Sequence, residues 1–285
     1  MLDLDIEREG PAPREAATLV VARDVSSGAG GGVEVFCVER HKKSGFLGGA
    51  IVFPGGKLDP VDADAAWGAL ARGGPEDASA RALAIAACRE TLEEAAILPV
   101  TGGTLTHDEL LALRKRVAAK EESLTAFLAS RGLALDLAAL VPFARWVTPV
   151  AEARRFDTRF FVTVAPPGQN GAHDEHETTS SFWARPAAIL ERFDAGEVQL
   201  APPTHRTLEL FAQAPDAASL VARAATLSLD PICPRLVKQR DAGGETVALV
   251  LPGDPEHAVR AAVVPGRSRF VLRGDRFLPE DAPTR

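Results

Sequence analysis

Long apolar runs are missing from this chain: no stretch of its 285 residues approaches the length that a transmembrane helix needs. The acidic start, Met1 to Glu9, has no apolar segment of the kind that directs secretion. Cysteine is scarce. Cys37, Cys88 and Cys233 are odd in number, widely spaced and without metal-ligand pairing, which reads as reduced thiols in a cytoplasmic protein. Positive charge is also short. The 32 Lys and Arg against 39 Asp and Glu leave a net charge of −7, which argues against a binder of nucleic-acid backbones and against a decapping role. A small phosphorylated substrate stays open, because metal ions neutralise charge locally. Tyrosine is absent and alanine abundant, a bias we ascribe to genome composition. Ser180-Ser181 has no nucleophile-elbow context, Gly30-Gly31-Gly32 has no P-loop Lys-Ser/Thr, and Gly102-Gly103 has no dinucleotide fingerprint. Serine hydrolase, P-loop and Rossmann chemistries are thereby set aside.

What is present is apolar content of 46%, enough for one large core or two modest ones. Residues 16–23 and 33–40 read as strands around a Gly/Ser turn, and 50–53 as a short strand running into Pro54-Gly55-Gly56. Helical spacing covers 77–97. Thr106-His107-Asp108-Glu109 is a capping box that opens a second helix, and 121–131 reads as a third, stopped by Gly132. Strands are expected at 143–148, 159–165, 246–251 and 268–272, and helices at 186–195 and 204–213. Strands mixed with helices and hairpins predict an α/β sandwich with a mixed sheet. A first domain is expected at 14–212, with a helical segment at about 106–132, and a C-terminal extension at 213–285 packed on it.

Within the first helix, Glu90, Glu93 and Glu94 stand at i, i+3 and i+4, on one face. Left alone they repel by a few tenths of a kcal/mol per pair, roughly. A cation reverses that sign, and hard oxygen ligands suit Mg²⁺ or Mn²⁺ beside substrate phosphates. The Gly55-Gly56 turn upstream lets backbone approach a ligand and leaves carbonyls for it. An ordinary solvated helix face is the competing explanation. The Phe-Pro-Gly-Gly ahead of the cluster and Arg89 inside it argue against that.

Phe53 to Asp59 followed by Arg89-Glu90-Thr91-Leu92-Glu93-Glu94 resembles the signature box of the Nudix hydrolases. Gly56 opens the box, Asp62 holds its first acidic position, and Arg89, Glu90, Glu93 and Glu94 supply its end. Residues 63–88 separate Asp62 from Arg89 where the family's box has seven, so an insertion runs from Ala63 to about Arg81. Ala96 replaces the family's Gly, at a cost on the order of 1 kcal/mol if that position is left-handed. Residues 154–161 (Arg-Arg-Phe-Asp-Thr-Arg-Phe-Phe) and 200–204 (Leu-Ala-Pro-Pro-Thr) resemble the branch of peroxisomal acyl-CoA diphosphatases, whose members carry such an insertion. The resemblance implies a Nudix-type α/β/α sandwich and a metal-dependent diphosphatase.

It further implies a site. Glu90, Glu93, Glu94 and the Gly56 carbonyl hold metal, Arg89 orients a glutamate through a bidentate salt bridge, Glu93 and Glu94 count among the catalytic residues, and Glu177 either ligates metal or serves as general base for the attacking water. Glu175 is second to Glu177, and His173 and His176 give little support for zinc. Arg40, Lys42 and Lys43 are candidates for a terminal phosphate such as the 3′-phosphate of coenzyme A, with Arg155 and Arg159 as further substrate-binding candidates. Coenzyme A-directed members commonly carry an Arg where this chain has Gly45. Asp157 is expected to be structural, and Phe156, Phe160 and Phe161 to be core. The expected substrate is a small nucleotide, a nucleoside diphosphate linked to X, with coenzyme A or acyl-CoA first. ADP-ribose, NADH or a nucleotide sugar is the alternative within the class, and a non-catalytic nucleotide-sensing module the alternative outside it. Neither a nucleic acid nor a membrane is expected as a partner. For residues 213–285 added strands, an active-site cover and a homodimer contact all stand open.

Overall fold

Leu19, Val20, Val21 and Ala22 are consecutive and fully buried, so the strand that carries them must be covered on both faces. That strand, β1 (Arg14–Asp24), is the axis of the computed structural model, which describes residues 5, 7, 9–25, 31–41, 49–174, 178–241 and 244–282. Lys42, Lys43, Gly45, Glu175, His176 and Glu177 lie outside the described residues.

Three strands follow: β2 (Val33–Arg40), β3 (Ala50–Val52) and β4 (Gly55–Lys57). A 3₁₀ turn (Pro60–Ala63), a short helix α1 (Trp67–Leu70) and β5 (Ala71–Arg72) then lead to the long helix α2 (Ala78–Ala95). Next come β6 (Val100–Thr101), α3 (His107–Ala118), α4 (Leu124–Arg131), β7 (Ala134–Asp136), β8 (Val141–Val147) and β9 (Phe156–Val164). The next stretch comprises β10 (Thr178–Ala184), α5 (Pro186–Asp194), β11 (Gln199–Leu200), α6 (Pro202–Phe211) and α7 (Ala217–Ala224). The chain closes with β12 (Pro231–Ile232), β13 (Arg235–Asp241), β14 (Gly244–Val250), β15 (Arg269–Arg273) and β16 (Arg276–Glu280).

The main sheet runs β11-β3-β2-β1-β9-β8-β12, with β10 paired to β2 and β4 paired to β1. It is mixed: β1 and β9 are parallel over nine positions, from Arg14↔Phe156 to Ala22↔Val164, while β8 and β9 are antiparallel. β1 forks its second edge, since Ala16–Thr18 pair with β4 and Ala22–Asp24 with β2. One face carries Ala17, Leu19, Val21 and Phe161 and is covered by α2, α3 and α4. The other carries Val20, Ala22, Phe160 and Val162 and is covered by α5, α6, α7 and the C-terminal strands. Each fully buried Leu, Val or Phe here contributes roughly 1.5–3 kcal/mol of transfer free energy. The layers are thus helix, sheet, helix, with an antiparallel sheet β13-β14-β15-β16 joined to the second face.

The insertion folds rather than dangling. Asp77 caps α2 by accepting from the Ala80 N–H, so the helix starts at Ala78 and takes in residues that the sequence places in the insertion. β5 pairs with β7, which pairs with β6, and Trp67 is 3% exposed with its indole donating to the Val61 carbonyl. Arg81 donates to the carbonyls of Ala71 and Gly73, tying the insertion's end to the helix. The Thr106/Glu109 capping box forms as the sequence predicts. α4 starts at Leu124, not 121, because Lys120 turns the backbone left-handed (φ 58°) and Ser123 caps the next helix. α6 starts two residues early, at Pro202-Pro203, where fixed φ suits a first turn and a missing N–H costs nothing. Ala96 adopts φ 51°, ψ 42°, the left-handed conformation its position in the box requires, and Ile97 N–H reaches back to the Thr91 carbonyl to close the helix.

Candidate active site

β4 lies against α2, and the close approach depends on the two glycines. A Cβ on Gly55 would collide with the Ala17 carbonyl, and one on Gly56 with the Glu90 carboxyl. The carboxylates therefore rest directly on backbone: Gly55 N–H donates to Glu94 Oε2 at 3.0 Å.

Arg89, 8% exposed, uses all five of its N–H donors. Nε and Nη2 grip Asp62 at 2.8 and 3.0 Å, Nη1 reaches Glu90 at 3.0 Å and Glu93 at 3.3 Å, and Nη2 also donates to the Lys57 carbonyl. The two-pronged salt bridge thus falls on Asp62, not on a glutamate as the sequence suggests. Neighbours along one helix can each be offered only a single N–H, whereas Asp62, fully buried, comes from another element and meets the fork edge-on. Asp62 also accepts from the Asp59 N–H at 2.8 Å.

Burial raises Glu90 to about 7; Arg89 opposes the rise, and the Glu93 and Asp62 charges add to it. Glu93 is raised too, by burial first, with Arg89 pulling it down. Carboxylates that are hard to ionise beside one another are stabilised by a multivalent cation. Three glutamates and a carbonyl form a hard oxygen donor set, and the Gly56 cradle leaves no room for a side chain between backbone and carboxylate. The residues fit a divalent ion. Among the described residues no three His, Cys, Asp or Glu side chains converge as a ready-made cage. The physical reason is Arg89, which holds Glu90 and Glu93, while Glu94 faces Gly55.

These groups line a cavity of about 570 Å³. Arg40 lines it as well, its Nε buried and without a hydrogen-bond partner among the described residues. Arg155 and Arg159 are not brought in. Arg155 donates to the carbonyls of Thr148 and Pro11, and Arg159 lies across β9 from the cavity-lining Thr158 and Phe160, because strand residues alternate between faces. Asp157 is clamped by Arg145 at 2.9 and 2.6 Å, a structural role. Phe156 and Phe160 line the cavity, and Phe161 is core. His173 bonds Ser181.

Sequence reasoning missed Glu152 (2% exposed), Arg154 and Trp146, all on the cavity wall. Arg154 stands in the Arg-Arg-Phe-Asp-Thr segment that carried the resemblance. No periodicity marks it or Glu152, because both precede β9 on a turn.

Comparison with known proteins identifies the family. The model of the NUDT19 Nudix domain matches residues 73–210, which include the carboxylates of α2. A solved NUDIX hydrolase from Alicyclobacillus acidocaldarius is 38% identical, covers 77% of this chain and 98% of its own, and superposes with a TM-score of 0.62. The chain belongs to the Nudix hydrolases. Within that family it is similar to two proteins named acyl-coenzyme A diphosphatase NUDT19. The one from Gallus gallus is 29% identical over 60% of this chain, and the one from Homo sapiens 27% over 78%. The match spans 58% of the length of the Gallus gallus protein and 72% of the human one.

Proposed function

We propose that the chain hydrolyses the diphosphate linkage of a nucleoside diphosphate linked to X, with coenzyme A or an acyl-CoA as substrate and Mg²⁺ or Mn²⁺ as the ion. The observation that carries this reading is the cavity, which Gly56, Glu90, Glu93 and Glu94 line together with many apolar residues. Nudix hydrolases use divalent ions. Glu90, Glu93, Glu94 and the Gly56 carbonyl would hold the ion, which when bound neutralises charge developing on the diphosphate oxygens. Arg89, fixed by Asp62, keeps Glu90 and Glu93 in one place until the substrate arrives. Glu93, its side chain 39% exposed, is the member of the trio that water reaches most freely, and it takes the proton or orients the water. Glu177 is the second proposed carboxylate for that step. Arg40 offers a cation to a phosphate. A cytoplasmic location belongs to the same proposal and is supported by three unpaired cysteines. No helix among the described residues is long and apolar enough to cross a membrane.

The test is a substrate panel read by mass spectrometry: coenzyme A, acyl-CoAs, ADP-ribose, NADH, dinucleoside polyphosphates and nucleotide sugars, with Mg²⁺ or Mn²⁺. Release of 3′,5′-ADP from the coenzyme A set is the expected result. Cleavage of ADP-ribose or NADH alone would overturn the substrate, and no cleavage with Mn²⁺ bound would overturn the enzyme.

A further inference from the structure

The segment before β1 lies outside the matched stretch 73–210, yet its backbone bonds converge on one turn. That turn, residues 148–155 between β8 and β9, places Thr148, Pro149, Glu152 and Arg154 on the cavity wall. Its stem is closed by Thr148 N–H on the Phe156 carbonyl, and its tip by Glu152 N–H on the Pro149 carbonyl. Donors from outside the turn complete the frame. Asp5 N–H reaches the Ala151 carbonyl at 3.0 Å, Gly10 N–H the Val150 carbonyl at 3.0 Å, and Arg14 N–H the Arg155 carbonyl at 2.9 Å. Arg155 returns the contact through Nη1, which donates to the Pro11 carbonyl at 2.8 Å. Gly10 stands so close that a Cβ there would collide with the Val150 and Glu152 carbonyls and with the Arg155 side chain. A connection with so exposed a tip (Val150, 50%) has many conformations open to it, and each tied carbonyl removes some of them.

The same stretch of chain runs on to the carboxylates. After Arg14 it becomes β1, where Ala16, Ala17 and Thr18 pair with Lys57, Gly56 and Gly55. The Glu15 carbonyl accepts from Leu58 N–H at 3.0 Å. Gly10 to Thr18 thus touch the Arg154 turn at their start and, at their end, the Gly55-Gly56 strand on which Glu90 and Glu94 rest. We infer that this stretch is a brace that fixes Arg154 relative to the carboxylates, with Gly10 as a positioning residue that acts through Arg154. The inference rests on the proposed reaction, in which Arg154 meets the substrate. A Cβ on Gly10 pushes Val150 and Glu152 off the brace and takes Arg154 with them. Arg155→Ala differs, because it leaves the backbone bonds of Asp5, Gly10 and Arg14 in place.

The test is a double-mutant cycle on the full chain, with coenzyme A and Mn²⁺. Gly10→Val should raise KM about three- to tenfold and leave kcat within about twofold, because it misplaces a substrate contact and spares the carboxylates. In the Arg154→Ala background the same change should move KM less than about twofold, since the residue it acts through is gone. Where the valine variant fails to fold, judged by its melting transition, Gly10→Ala takes its place with the same sign. Hydrogen exchange on the wild type needs no variant: the Gly10 and Arg14 amides should exchange at least about tenfold more slowly than in an unstructured chain. Exchange at the unstructured rate, a fall in melting temperature with KM unchanged, or additive Gly10 and Arg154 effects would overturn the brace and keep the reaction. Calorimetric titration with 3′,5′-ADP and Mn²⁺ repeats the cycle without turnover. The coupling seen there, with no hydrolysis of any substrate in the panel, would remove the reaction and keep the brace, whereas a wild type that binds none would overturn both.

Discussion

Arg89 and Asp62 meet edge to edge, Nε and Nη2 against the two carboxylate oxygens, at the root of the segment that separates the two halves of the box. Asp62 is fully buried and Arg89 nearly so. Removing one partner strands the other's charge, so Asp62→Ala should cost roughly 3–5 kcal/mol by urea unfolding. The loss should exceed that of Asp59→Ala, whose carboxyl is half exposed and 3.9 Å from Arg89.

Glu93→Gln should lower turnover by roughly two to four orders of magnitude while the melting temperature stays level or rises, since repulsion within the trio is relieved. A large fall in melting temperature would mean that Glu93 is structural. Rates and thermal unfolding on the same preparation decide between them.

Glu90 gives the metal-free protein a specific pH dependence. Its folded value of about 7 lies above the ordinary carboxylate value of 4.5 that the unfolded chain has, so the folded state holds the proton more tightly. The associated stability is fully present below about 4.5 and is lost as pH rises through about 7. Its size is on the order of 3 kcal/mol. Unfolding of metal-free wild type against Glu90→Gln, between pH 4.5 and 8, should show a steeper slope in the wild type, the remainder in the variant coming from the raised Glu93. Mn²⁺ affinity should climb over the same range, because the proton and the ion compete for one carboxylate.

Two left-handed residues should respond differently to glycine. Lys120 is exposed (φ 58°), and Lys120→Gly should stabilise by about 0.5–1 kcal/mol. Ala96 is fully buried (φ 51°), and its methyl contributes about 0.8 kcal/mol of burial that glycine would forfeit. Ala96→Gly should therefore leave the unfolding midpoint nearly unchanged, which accounts for Ala standing where the family has Gly.

Arg154→Ala and Arg155→Ala separate substrate contact from scaffold. Arg154 is exposed on the cavity wall and should act through KM, raising it several-fold with stability unchanged. Arg155 braces Thr148 and Pro11 and should act through stability, by about 1–3 kcal/mol. Michaelis constants beside melting curves for both variants provide the check.

Much of this molecule could be read from its residues because the signals are local. The i, i+3, i+4 carboxylates, the Thr106/Glu109 box and Gly132 (φ 65°) each fix a short stretch through neighbours in sequence. What stayed hidden is set by distant partners. β12 pairs only two residues and has no period to detect, yet it positions Pro234. Glu152 and Arg154 are on a turn, and only the parallel pairing of β1 with β9 brings that turn to the cavity. The Asp62 partner of Arg89 was in plain view as a box residue, but which carboxylate would meet the guanidinium fork depends on burial that the sequence does not reveal.

The folded insertion between Asp62 and Asp77 has a consequence for how this enzyme family can grow. Both of its ends are pinned, at the root by Asp59 N–H and Arg89 on Asp62, and at the exit by Arg81 on the Ala71 and Gly73 carbonyls. The entropy of closing a loop rises only logarithmically, by about 0.6 kcal/mol for each doubling of length. Lengthening the exposed stretch 63–66, between buried Asp62 and buried Trp67, therefore leaves the carboxylates where they are. This is the place in the chain where a designer can graft a binding peptide or a reporter domain beside the site without moving it.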